Sequence, residues 1–214
     1  STNYINIIDN HVTTLKKRFY SNGKQIVRID QEICLDWESN EEIDYKEYDI
    51  IIVSDYNKGV INSININADI VIVDPKKNDF SSYKSAHIIT PNLNELQRAT
   101  NSKIKDDQSI IDACNELIKI NGFDYIVAKK GSKGMIVVGK DNFVKKIDAH
   151  PVENPDVTGA GDTVISTLSL AYAFTGDIER SAKIANTAAA IAVNKTGTAS
   201  VTIDEINNYI NANE

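Results

Sequence analysis

The residues best suited to chemistry lie in one run, Asp156-Val157-Thr158-Gly159-Ala160-Gly161-Asp162-Thr163-Val164, which leads straight into an apolar stretch of helical length. Two glycines one residue apart free the backbone to turn its N–H groups towards an anion. A helix start adds the positive end of its dipole. Asp162 then places a carboxylate beside that anion pocket. Phosphoryl transfer to a hydroxyl needs this pairing: donors for the charge on the moving group and an acceptor for the hydroxyl proton. A dinucleotide fingerprint would need a third glycine, but Asp162, Thr163 and Val164 follow Gly161, and a Walker loop would need Gly-Lys-Ser/Thr. Neither pattern is met. A bare Gly-x-Gly-Asp could be a helix start that the acid merely caps; the length of the full run favours the anion site.

The elements that must position this loop are legible from periodicity. Short β-branched runs end in polar residues or turns: Ile50 to Val53, Ile70 to Val73, His87 to Thr90 and Tyr125 to Ala128. Continuous rather than alternating, they read as parallel strands buried on both faces. Ligands in such sheets sit beyond the carboxyl ends of the strands. Met135 to Val138 and Phe143 to Ile147, joined through Gly139-Lys140-Asp141-Asn142, predict a later hairpin. An earlier one, within residues 11–31, is predicted by Asn22-Gly23 between two strand-like runs. Helical spacing covers Gln108 to Ile120, Gly161 to Phe174, Ile178 to Val193 and Ile203 to about Ile210. Strands followed by helices, with hairpins inserted, make an α/β three-layer domain.

Bulk properties narrow the function. The chain has 214 residues, 42% hydrophobic and 25% charged, as one domain of ordinary size requires. A net charge of −7 argues against a nucleic-acid partner, which would need a basic face. Cys34 and Cys114 give neither a zinc spacing nor a disulfide framework. The three histidines, His11, His87 and His150, form no triad or metal pattern, which disfavours a hydrolase. No signal peptide or membrane span is recognisable, so a cytoplasmic location is expected.

The Asp156–Asp162 run resembles the signature of the ribokinase-like (phosphofructokinase B type) carbohydrate kinases. That resemblance implies a three-layer ribokinase-like fold, with a mainly parallel central sheet and helices on both faces. It also implies ATP as phosphoryl donor, Asp162 as catalytic base, and Gly159, Ala160 and Gly161 as the anion hole. Asn92-Leu93-Asn94-Glu95 looks like the family's Asn-x-x-Glu motif, in which Asn92 and Glu95 hold Mg²⁺ largely through water. The same letters alone also fit a capped helix start. Lys130, Gly131 and Gly134 resemble the Gly-x-x-Gly turn beside the nucleotide, although Lys129 stands where the family has Thr. That departure either puts the nearby phosphate contact in doubt or makes it a charged one. Asn186 and the loop carrying Gly197 match positions lining an adenine pocket.

A longer series narrows the resemblance: Ser54-Asp55-Tyr56-Asn57-Lys58-Gly59, Val73-Asp74-Pro75-Lys76, Thr90 to Glu95, and Gly197 to Thr202. In this order they are similar to the kinase domains of the bacterial D-glycero-β-D-manno-heptose-7-phosphate kinases. Such domains are often fused to a heptose-1-phosphate adenylyltransferase, and a homodimer is compatible with the resemblance. It implies phosphorylation of the anomeric hydroxyl of heptose 7-phosphate, with Arg18, Arg28, Asp55 and Lys58 as substrate contacts. The alternatives are a ribokinase-like kinase for another sugar, or an inactive fragment that only binds nucleotide or sugar phosphate. The family's N-terminal segment, with its sugar-gripping Gly-Gly-Ala-x-Asn turn, is absent before Thr13. The expectation is therefore a trimmed domain that keeps its nucleotide cleft but turns over poorly.

Overall fold

The computed structural model describes residues 12–22, 24–34, 44–62 and 64–213. A six-stranded sheet follows chain order: β3 (Ile51–Ser54), β4 (Val71–Asp74), β5 (Ile88–Ile89), β6 (Tyr125–Lys129), β7 (Met135–Gly139) and β8 (Phe143–Ile147), after a separate hairpin of β1 (Leu15–Ser21) and β2 (Lys24–Gln31). Strands β3 to β6 run parallel, and β7 and β8 add antiparallel neighbours. The β7–β8 turn holds Asp141 and Asn142 at φ 56° and 61°, the double left-handed turn that matches strand twist.

Helices cover both faces. Between β5 and β6 come α1 (Leu93–Thr100) and α2 (Asp107–Asn121); after β8 come α3 (Ala160–Thr175), α4 (Ile178–Val193) and α5 (Ile203–Asn213). Period-two alternation sorts the strand residues between them. Val71, Val73, Ile89, Ile126 and Val138 join Leu96, Cys114 and Leu117 in one core, while Ile72, Ile88, Val127 and Val137 join Ile165, Leu168 and Ala182 in the other. Two filled faces explain why these strands read as unbroken apolar runs.

The first run behaves differently. It was expected to be buried on both faces, yet β3 is an edge strand and Ile52 is 44% exposed. Among the described residues the β3–β4 and β4–β5 crossovers carry no α-helix; a 3-10 turn, Phe80–Tyr83, plugs the second with two buried rings. The β1–β2 hairpin forms as expected, with its turn at Asn22 (φ 50°), and every β1 residue is exposed. Gly23 and His11 lie outside the described residues. Among the described residues no helix is long and apolar enough to cross a membrane.

Candidate active site

The site is built on the start of α3. Gly159 occupies the N-cap with φ 78°, a left-handed conformation that side chains resist, and no side chain caps this helix. Ala160 N closes a turn on the Val157 carbonyl at 3.2 Å, so the donors left for something else are those of the next residues in the first turn of α3, beginning with Gly161. Ala160 and Gly161 line a cavity of about 790 Å³. Asp162 stands exposed in the first turn, where its Oδ1 accepts a hydrogen bond from the Tyr56 hydroxyl at 2.9 Å. Tyr56 follows β3, so two carboxyl-end segments 106 positions apart in sequence meet at this acid. The Tyr56 phenol is raised above its ordinary pKa, first by burial and then by the Asp162 carboxylate. Asp156 fastens the loop from behind: its Oδ1 accepts from Thr158 N at 3.0 Å and its Oδ2 from Gly197 N at 2.8 Å.

Facing this loop, the ends of β4, β5 and β6 hold a ladder of alternating charge. Lys129 Nζ lies 2.5 Å from Asp74 Oδ1; Lys76 Nζ bridges Asp74 Oδ2 at 3.1 Å and Glu95 Oε1 at 2.7 Å. Thr90 Oγ1 adds a donor to Asp74 at 3.1 Å. Burial pushes the Asp74 carboxyl up, but the Lys129 and then the Lys76 ammonium more than offset this, leaving it below the usual range. Burial likewise opposes the charge on Lys76, and Glu95 and Asp74 overcome it, so Lys76 is raised. Glu95 and Asn92 are a complete capping box: Asn92 Oδ1 accepts from Glu95 N at 2.9 Å, and Glu95 Oε2 from Asn92 N at 2.7 Å.

The cavity is lined by Lys76, Asn92 and Lys129, by Gly131 and Gly134, and by apolar side chains that include Met135, Val152 and Ala189. Asn186 lines it, 6% exposed, and its Nδ2 donates to Asp148 O at 2.9 Å. His150 is also in the wall. Its Nε2 sits 3.1 Å from Thr187 Oγ1, and its ring meets Tyr209 edge-on at 5.0 Å. A mostly apolar lining together with a helix start and the Lys129 and Lys76 ammoniums suits a nucleotide, its base against the apolar side chains and its phosphates at the donors.

Of the residues expected at the site, the structure gathers Ala160, Gly161, Asn92, Gly131, Gly134 and Asn186 on this one cavity. Gly159 and Asp162 flank it, and Glu95 reaches it only through Lys76. Leu93 and Asn94 belong to the first turn of α1 and are not in the wall; Gly197 contributes its backbone to Asp156. Lys130 turns away: its Nζ pairs with Asp107 Oδ1 at 2.6 Å, while its neighbour Lys129 enters the wall instead. Asp55 is also displaced from its expected role. It is 2% exposed and binds the Tyr83 hydroxyl at 2.5 Å and Asn57 N at 2.6 Å, which orders the turn after β3. Arg18 and Arg28 are cross-strand partners on the hairpin, with Arg28 Nε 2.9 Å from Asp30 Oδ1, and Lys58 pairs with Glu32. None of these four lines the cavity.

Sequence reasoning passed over Tyr56, Asp74 and Lys76 as site residues, and used His150 only to argue against a hydrolase. A signal existed for three of them. Asp74 ends β4, and Tyr56 and Lys76 come two residues after the ends of β3 and β4, where α/β sheets place ligands.

Hard oxygen donors suit Mg²⁺, which keeps several of its waters and takes few carboxylates. Asp74 and Glu95 already share one cation, the Lys76 ammonium. Glu95 spends Oε1 on Lys76 and Oε2 on the Asn92 amide, so a hydrated divalent ion at this end would be reached through its own waters.

Comparison with known proteins bears on this geometry. The sequence profile of the pfkB family of carbohydrate kinases matches residues 17–205. The bifunctional protein HldE of Aliarcobacter butzleri is 36% identical over 226 residues, covering 98% of this chain and 47% of that protein. HldE of Mesorhizobium japonicum is 37% identical over 213 residues, 91% of this chain and 42% of its own length. The chain thus spans less than half the length of these curated relatives. Among solved structures, Arabidopsis thaliana ribokinase complexed with ribose and ATP superposes with a TM-score of 0.72 at 19% identity, covering 88% of this chain and 66% of that one. Ribokinase from Thermotoga maritima gives 0.67 at 21%, covering 78% and 58%. At these identities the two structures establish a shared ribokinase-like fold.

Proposed function

This chain belongs to the pfkB family of carbohydrate kinases, and from that premise we propose that it transfers the γ-phosphoryl group of ATP to the anomeric hydroxyl of a heptose 7-phosphate, giving the 1,7-bisphosphate and ADP. One observation carries the reading. A helix N-terminus without a side-chain cap, with an acid in its first turn, borders a cavity whose lining is mostly apolar and includes two lysines. The match to HldE over nearly the whole chain supports the heptose as acceptor.

The chain's own groups divide the work. Met135, Val152 and Ala189 take the base, with His150 and Asn186 at its edge. The amides at the start of α3, beginning with Gly161 and shaped by the Gly159 turn, receive the terminal phosphoryl oxygens, replacing lost hydration by preorganised donors. Asp162 accepts the hydroxyl proton as the sugar oxygen bonds to the γ-phosphorus and the bond to the ADP oxygen breaks. Tyr56 holds Asp162 Oδ1 at hydrogen-bond distance, the position an acceptor hydroxyl must take over. Mg²⁺, bound through water at Glu95 and Asn92, would screen the charge of the β- and γ-phosphates.

The acceptor is tested by coupled ADP release with Mg²⁺ across a panel of sugar phosphates, comparing this chain with one extended at its N-terminus. Preference for heptose 7-phosphate supports the assignment. Preference for another sugar overturns the substrate but keeps the kinase. ATP binding with no turnover by either chain would leave a nucleotide-binding protein.

A further inference from the structure

The charge ladder has a direction that the reaction described above does not use. In the order Lys129, Asp74, Lys76, Glu95 its charges alternate and cancel, so the ladder as a whole is neutral. Its ends are not. The acidic end is Glu95, in the α1 capping box. The cationic end is Lys129, in the cavity wall.

The Lys129 side chain is 13% exposed, so a long flexible chain is held in one place with its charge little screened by water. Its Nζ lies 3.7 Å from the point where a Cβ on Gly161 would stand. The ammonium therefore sits beside Gly161, at the helix start proposed to receive the terminal phosphoryl. An ammonium carries three donors, and Asp74 Oδ1 uses one of them. Asp74 is itself fixed by Thr90 and Lys76, and its side chain is 6% exposed. Were the ion pair only structural, the cheaper arrangement would be the one Lys130 adopts next door, paired with Asp107 away from the cavity.

From this placement we propose that Lys129 is a catalytic residue that bonds the transferring phosphoryl group beside the start of α3, and that Asp74 is its positioning residue. The inference rests on the nucleotide reading of the cavity. Lys129 keeps its proton throughout; it supplies fixed positive charge where negative charge is redistributed between the departing ADP and the acceptor oxygen. Asp74 holds the ammonium in place through the ion pair.

The test compares Lys129→Met, Lys129→Arg and the double variant Lys129→Met/Asp74→Asn with the unaltered chain. The double variant removes the acid that the single change would leave with one partner fewer. Binding of ATP, ADP and AMP is measured by calorimetry, and AMP binding reports an intact cavity. Loss of one charged donor should weaken ATP binding about 10- to 100-fold and leave AMP within about twofold, with Lys129→Arg intermediate. Where turnover is measurable, kcat should fall more than KM for ATP rises. Equal ATP affinity in all variants, beside normal ATP binding by the unaltered chain, would overturn the role of Lys129 and leave the kinase reading standing. Failure of the unaltered chain to bind ATP would overturn both.

Discussion

Lys129 and Lys130 show how finely the site depends on single positions. Both are lysines at the end of β6, and the family-like turn drew attention to the second. Lys129 is the last strand residue, and Lys130, at φ −100° and ψ 13°, already leaves the extended backbone. Lys129 goes towards Asp74 and the cavity, and Lys130 towards Asp107. A similar choice was made at Asp55 and Asp162. The first is buried against Tyr83, and only the second faces open space beside the helix amides. Asp162→Asn keeps the shape and removes the proton acceptor. It should lower turnover by about 10²- to 10⁴-fold with ATP affinity unchanged to within about twofold. Steady-state kinetics and calorimetry on the same preparation check this, and an unchanged kcat would remove Asp162 from the mechanism.

Elements set where those residues stand. The α1 capping box serves as both a fold device and part of the site, because Glu95 gives one oxygen to the Asn92 amide and the other to Lys76. Asn92→Ala should cost about 1 kcal/mol by losing the cap. That corresponds to a melting temperature lower by about 2–4 °C in a chain of this size, with Asn92→Asp close to wild type. The turn before β7 is stricter. Gly134 has φ 82° and ψ −136°, and a Cβ there would collide with the Ile147 carbonyl and stand 2.6 Å from Ala149 N. Gly134→Ala should destabilise by about 3 kcal/mol or more, since only glycine tolerates that conformation and the neighbour is backbone. Differential scanning calorimetry should then record a drop of about 6–12 °C. A stable Gly134→Ala protein would mean the turn can open.

At the scale of the whole molecule, the ladder ties three strand ends and α1 together and gives stability a pH window. Asp74 is depressed in the fold, so its contribution is present above its unfolded value, about 3.9, and is lost as pH falls through the folded value. Lys76 is raised, so its contribution is present below about 10.4 and is lost as pH rises through the folded value. Thermal unfolding should therefore be flat in this respect from about pH 5 to 9, with an acid limb below about pH 4. Asp74→Asn should be less stable at pH 7 by about 3 kcal/mol, since it unpairs a shielded ammonium, and should show a shallower acid limb. Identical acid limbs in the two proteins would show that Asp74 does not govern this transition.

The sequence by itself determined the α/β alternation, the hairpins, the helix ends at Gly122 and Gly176 and, to within a residue, the helix start that puts Asp162 in the first turn of α3, because periodicity, glycine and turn chemistry act over a few residues. It also marked the glycine run as an anion site before any neighbour was known. Tertiary structure alone decided that β3 is an edge, that Tyr56 meets Asp162, that Lys129 rather than Lys130 enters the cavity, and that Asp55 is spent on Tyr83. Those choices turn on which strand ends lie side by side. Contacts between residues 55 or 106 positions apart, such as Lys129 with Asp74 and Tyr56 with Asp162, leave no local pattern to read.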